Sequence, residues 1–247
     1  MSRTASLIFA MVVYAIFFAT FLYLIVFVGD LSFGTRTVDV GPAAPPLVAA
    51  LIDVALIALF GVQHSVMARP RFKAWWTKIV PKPIERSVYV LAASIALMIL
   101  FRFWRPIDAI VWDVRGPGLS QLIWLLFWAG WAMVLISTFL INHFELFGVQ
   151  QAWLHCWGRE CGEPELRQPF FYKWIAHPLY SGFFLAFWAA PQMTVGHLLL
   201  AAGVSLYMLV AIRYEERDLA NLFGQDYRNY RAGVGMLIPR FGRKPAA

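Results

Sequence analysis

The sequence predicts an all-α, polytopic integral membrane protein, and three observations carry that reading. The 247 residues are 60% hydrophobic and only 14% charged, against about 45–50% and about 25% in globular chains. Such a chain cannot bury its apolar groups in one core and still coat its outside with polar ones. The apolar residues also fall into long uncharged runs, and Lys and Arg collect between alternate runs.

Residues 7–28 form the first run, 22 positions without a charge, where about 20 suffice to cross the hydrocarbon layer as a helix. The run exceeds the usual ~7–15-residue apolar core of a signal peptide, so it reads as a span. A second span is predicted over 46–65. A third covers 87–101, extending toward Trp104 with Ser87 as its cap, and a fourth covers 119–141. Runs at 178–190 and 196–212, separated by "PQMTV", predict a helical hairpin. Its first arm is short enough to be tilted, enclosed by protein, or only partly crossing.

Basic residues set the orientation. Seventeen Lys and Arg fall on one set of alternate loops and four (Arg36, Arg102, Arg105, Arg115) on the other. The sequence thus predicts both termini in the cytoplasm, with six crossings. The net charge of +7 lies mostly along one membrane face, where anionic lipid headgroups account for it. No basic stretch is long enough for a soluble nucleic-acid-binding domain. No repeat or linker divides the chain, which reads as one domain over 1–247. Cys156 and Cys161 supply half a tetrahedral zinc site at most, and read as structural thiols with no metal.

Polar groups at membrane depth are costly and mark cavities or interhelical hydrogen bonds. Asp53 and His64 lie eleven residues apart, three turns along one helix face with Ile57 and Phe60. The fourth span ends in "INHFELFGVQQAW", which places Asn142, His143, Glu145 and Gln150 at the same predicted membrane face as His64. A histidine titrating near neutrality beside a carboxylate is an acid–base pair; a polar cap on the last helical carbonyls is the alternative. Arg86, in "ERSVYVL", contacts either lipid phosphate or an anionic ligand.

The C-terminal block, residues 171–239, is the most specific: "FYKWIAHPLYSGFF", a hairpin, then "IRYEERDLANLFGQDYRNYRAGVGMLIP". Tyr227 and Tyr230 stand three apart on one helix face, after Gly224. This order of motifs resembles the membrane methyltransferases of the isoprenylcysteine carboxyl methyltransferase type. The stretches "GVQHSVMARP", "ERSVYVL", "NHFELFGVQQ" and "TVGHLLLA" look like the bacterial methanethiol S-methyltransferases, which shade into the NnrU-like membrane proteins. The likeness runs from the first span to Pro239.

The resemblance implies S-adenosylmethionine as cofactor and a small thiol as acceptor, methanethiol becoming dimethyl sulfide. It assigns His177, Pro178, Tyr180 and Gly182 to the cofactor pocket from one arm, Glu215 and Glu216 from the other, with Tyr227 and Tyr230 closing it. On the acceptor side, His64 or His143, the latter oriented by Glu145, is the expected base, with Asn142 and Arg86 as further candidates. One position departs from the family motif: Ala176 stands where an arginine is expected. Lys173 or Arg213 would have to substitute, and Ala176→Arg is expected to tighten cofactor binding. Two rival readings remain open. One is a non-catalytic NnrU-like protein associated with haem or quinone, and the other is a methyltransferase for a larger lipophilic acceptor.

Overall fold

The computed structural model describes residues 2–114, 116–159, 162 and 165–240; Cys161 and Arg115 fall outside them. The chain runs α1 (Arg3–Val28), α2 (Pro46–Ala68), α3 (Pro70–Trp76), α4 (Lys82–Phe103), β1 (Ile110–Asp113), α5 (Leu119–Ile141), α6 (His143–Leu146), α7 (Val149–Cys156), a 3-10 turn (Phe170–Lys173), α8 (Pro178–Trp188), β2 (Gln192–Thr194) and α9 (Val195–Gly233). Five helices, α1, α2, α4, α5 and α9, are long and apolar enough to cross a membrane. The sixth predicted crossing falls on α8, whose 11 residues extend about 16 Å, roughly half of the ~30 Å hydrocarbon layer.

Proline places four of the helix starts, those of α2, α3, α4 and α8. Pro46, Pro70 and Pro178 each occupy the first turn of their helix, where the missing N–H would have had no partner anyway. The residue before a proline is pushed toward extended backbone. Arg69, before Pro70, is extended (φ −72°, ψ 139°), and there α2 ends and α3 begins. The third span starts earlier than its apolar run suggests, at Lys82. Pro81 is the residue before it and Pro83 sits in its first turn, so Ser87 does not cap it. Ser87 is buried, and its Oγ donates instead to the Gly148 carbonyl at 3.4 Å.

The residues form two compact units, each assembled from three separate stretches of chain. The first unit holds residues 1–113, 143–162 and 192–203. In it α4 packs against α1, α2 and α7. Asp53 is fully buried on α2, and its Oδ1 accepts the backbone N–H of Arg105 at 2.9 Å. Asp53 thus satisfies the chain where it leaves α4. Trp104, at the same end, is buried and donates Nε1–H to the Val38 carbonyl at 3.0 Å. The segment "PQMTV", read from sequence as the separation between the two arms of a helical hairpin, contributes β2, which pairs antiparallel with β1. Thr194 then opens α9, its Oγ1 accepting the N–H of His197 at 3.1 Å.

The second unit holds residues 114–142, 163–191 and 204–247, and its frame is the crossing of α5 on α8. A Cβ built on Gly130 would lie 2.7 Å from the Ala186 nitrogen, and one on Gly182 would lie 2.7 Å from the Gly130 carbonyl oxygen. Two backbones this close admit no side chain, the small-residue packing that serves helices in lipid.

Candidate functional site

In the second unit the chain approaches α8 through Trp174–His177, and the protein's C-terminal stretch binds alongside it. Gly235 donates its N–H to the Trp174 carbonyl at 3.0 Å, Ala176 to Gly235 at 2.7 Å, and His177 to Met236 at 3.1 Å. Ser181 Oγ, one turn into α8, reaches the Leu237 carbonyl at 2.7 Å. The far end of the motif block is therefore laced across the mouth of α8. Gly224 makes this return possible. Its backbone (φ 60°, ψ −126°) breaks α9 in a conformation that side-chain-bearing residues rarely adopt, and no neighbouring atom would obstruct a Cβ there.

The return brings the charged groups together. His177 is buried, and its Nε2–H donates to Glu216 Oε1 at 3.1 Å. Its Nδ1 lies 4.0 Å from Glu215 Oε1. Arg231 Nε donates to the same Glu216 oxygen, and Arg231 Nη1 to the Val234 carbonyl at 3.2 Å. Tyr180 sets its ring edge-on to His177, centroids 5.7 Å apart. Pro178 is fully buried beneath this cluster's entry turn.

The two tyrosines divide their labour. Tyr230 Oη donates to the carbonyls of Tyr172 (2.9 Å) and Ile175 (3.3 Å), clasping the tail to the approach to α8. Tyr227 packs beside it, ring centroids 6.0 Å apart, in a buried cluster with Ala176 and Val234. Its hydroxyl is buried without a hydrogen-bond partner among the described residues.

Two further positions take definite places in this unit. Ala176 is buried against Tyr227, Tyr230 and Val234, so an arginine there has no room to reach Glu216. The guanidinium that meets Glu216 belongs to Arg231. "YRNYRAG" offers a signal for this, since Arg231 follows Tyr230 directly, but only the break at Gly224 turns it back toward Glu216. Gly182 packs against Gly130 and Val134 of α5.

The acceptor-side candidates divide between the units. Asn142, in the second unit, closes the C-terminus of α5, its N–H donating to the Thr138 carbonyl at 3.2 Å. The others lie in the first. His64 Nε2 is 2.6 Å from Tyr89 Oη, and Phe60 stacks on the imidazole with centroids 5.2 Å apart. Arg86 lies over the Tyr89 ring, 5.1 Å from its centroid, and donates Nε–H to the Leu146 carbonyl at 2.8 Å. His143 is buried, with Nε2 2.8 Å from Tyr14 Oη, and burial lowers its pKa below the ordinary histidine value. Glu145 is exposed, and its backbone carbonyl accepts from Gly148 and Gln151. Tyr14 and Tyr89, the hydroxyls that meet the two histidines, were not among the sequence candidates. Nothing in their spacing marks them, because each partnership joins distant helices.

The chain is similar to known proteins over most of its length. A methanethiol S-methyltransferase of Bradyrhizobium diazoefficiens is 51% identical over 226 residues, 92% of this chain and 79% of the relative. One from Mycobacterium tuberculosis is 49% identical over 239 residues, 97% of this chain and 98% of the relative. The chain belongs to the methanethiol S-methyltransferase family. A more distant relative of this family member is human nurim, 30% identical over 183 residues, 70% of this chain and 69% of nurim. No family model matches the chain. No solved structure matches it either. Among the described residues, no group of three or more His, Cys, Asp and Glu is placed to hold a metal ion.

Proposed function

We propose that this protein transfers the methyl group of S-adenosylmethionine to methanethiol, releasing dimethyl sulfide, from a bacterial inner membrane with both termini in the cytoplasm. The single observation that carries the cofactor reading is the convergence of His177, Glu215, Glu216 and Arg231 at the mouth of α8. The acceptor follows from the relatives, which are named methanethiol S-methyltransferases.

The residues fit a charged nucleoside. Glu216 is engaged by His177 and Arg231, whereas the half-exposed Glu215 carboxylate stands beside them and is suited to accept two ribose hydroxyls. The Tyr227 hydroxyl, which has no partner among the described residues, is a donor in want of an acceptor, and leaving a buried donor unmet costs about 1–3 kcal/mol. Tyr180 and Tyr227 offer aromatic faces, which attract cations such as a sulfonium. Bound there, S-adenosylmethionine would supply an electrophilic methyl group. His177 and Arg231 orient Glu216, and the tail over α8 limits access of water.

Displacement at that methyl group needs alignment above all, and a thiolate rather than a thiol as nucleophile. His64 or His143 is the base, each with a tyrosine hydroxyl on Nε2. Orientation rests on the seventeen-to-four division of basic residues. Both termini on one side requires the Pro178–Pro191 arm to carry the chain back through the layer.

Membranes containing the protein, given methanethiol and S-adenosylmethionine, are expected to release dimethyl sulfide into the headspace. Glu215→Gln should reduce that release and weaken S-adenosylmethionine binding. A folded protein that yields no product with both substrates present overturns the proposal.

A further inference from the structure

Three stretches outside the cofactor block, "GVQHSVMARP", "ERSVYVL" and "NHFELFGVQQ", are far apart in the chain yet meet at one place in the first unit. Gly148 makes the closest approach. It adopts φ +87°, and a Cβ there would lie 2.7 Å from the Ser87 nitrogen and 3.1 Å from the Arg86 carbonyl carbon. Without a side chain at 148, the turn after α6 comes close enough for Arg86 Nε to bond the Leu146 carbonyl at 2.8 Å. Arg86, thus anchored, covers the Tyr89 ring at 5.1 Å. Tyr89 is buried within an apolar cluster with Val13 and Val90, against which Phe17, Met67 and Phe147 pack. Its hydroxyl emerges from that cluster at His64 Nε2, 2.6 Å away. Phe60, one turn earlier on α2, stacks on the imidazole. The imidazole is therefore fixed in plane by one aromatic ring and in direction by another residue's hydroxyl.

A neutral imidazole carries one hydrogen, and the bond made by one ring nitrogen decides the role of the other. For His64 to take a proton at Nδ1, the hydrogen of the neutral ring must sit on Nε2. Tyr89 Oη is the acceptor placed to hold it there, and the same bond stabilises the imidazolium once it forms.

We propose that Tyr89 is a positioning residue for acceptor activation, holding His64 so that Nδ1 removes the proton of the small thiol. In this step the S–H bond breaks and an Nδ1–H bond forms. The S–H electron pair stays on sulfur as the thiolate, and the imidazolium later gives the proton to water. Arg86 acts one layer further out, keeping the Tyr89 ring in place. The inference rests on the proposed thiol methylation with His64 as base, and adds the residue that makes that base directional.

The test compares Tyr89→Phe and His64→Ala with the unaltered protein in detergent, using methanethiol and hydrogen sulfide as acceptors. Hydrogen sulfide is the more acidic and is largely ionised at about pH 8, so it has less need of a base. Tyr89→Phe keeps the ring and the packing, and S-adenosylmethionine affinity by calorimetry serves as the control for fold. The expected result is unchanged cofactor affinity, with turnover down about tenfold or more for methanethiol and much less for hydrogen sulfide. Equal losses with both acceptors assign Tyr89 a structural role and overturn the inference. So does full activity of Tyr89→Phe when His64→Ala is inactive. Full activity of His64→Ala removes the base itself, and with it both the acid–base reading and this one.

Discussion

Arg231→Ala is the perturbation that most directly examines the cluster at the mouth of α8. In the native protein the Arg231 side chain donates to Glu216 and to the Val234 carbonyl. It therefore joins the acidic pair to the returning tail. A hydrogen bond involving a charged group contributes about 1.5–3 kcal/mol, and two would reach about 3–6 kcal/mol in a dry site. Roughly a quarter to a third of each side chain in the pair is exposed (29% and 26%), which screens the interaction toward the lower end, about 2–3 kcal/mol. Part of that loss will appear as loosening of the tail rather than in binding. S-adenosylmethionine affinity should then fall about tenfold or more, at about 1.4 kcal/mol per decade. Arg231→Lys should recover only part of it, since an ammonium lacks the fork that meets both acceptors. Calorimetric titration in detergent reads the affinity, and thermal unfolding reads the tail. Wild-type affinity in Arg231→Ala would refute the reasoning, because the guanidinium would then support nothing the cofactor uses.

Ala176→Arg places a charge among Tyr227, Tyr230 and Val234; it should lower the thermal midpoint and abolish cofactor binding, and tighter binding would show that the cluster reopens. Gly182→Ala forces α5 and α8 apart at a contact of 2.7 Å; a cost of about 1–3 kcal/mol at about 2–4 °C per kcal/mol predicts a midpoint several degrees lower, and an unchanged midpoint would contradict the close approach. His143, its pKa lowered by burial, stays neutral when folded at pH values where the unfolded chain binds a proton. Its contribution is present above the ordinary histidine value of about 6.5 and is lost as pH falls below it. Acidification from about pH 7.5 to 5.5 should therefore destabilise the native protein more than His143→Gln, as read by thermal midpoints; equal sensitivity would mean that other groups carry the acid response.

The membrane class and most of the helix boundaries were legible because transfer of apolar side chains into lipid is additive along a chain. α5 begins and ends where its apolar run does, at Leu119 and Ile141. That logic failed at α4, where Pro81 and Pro83 start the helix several residues ahead of the apolar run. It failed again at "PQMTV", whose pairing with β1 is a long-range contact. The site shows the same division. The types and order of His177, Glu215, Glu216, Tyr227 and Tyr230 were visible as a motif through their likeness to the membrane methyltransferases.

Sequence by itself thus determined that this chain is an α-helical membrane protein, and which of its stretches match the family's motifs. Only tertiary structure decided the partnerships: Arg231 with Glu216, Tyr230 with the carbonyls before α8, and a tyrosine on each of His64 and His143. The physical reason is range. Hydropathy and helix starts are properties of neighbouring residues. A hydrogen bond between side chains on separate helices depends on where a positive-φ glycine turns the backbone and on how closely two helices approach.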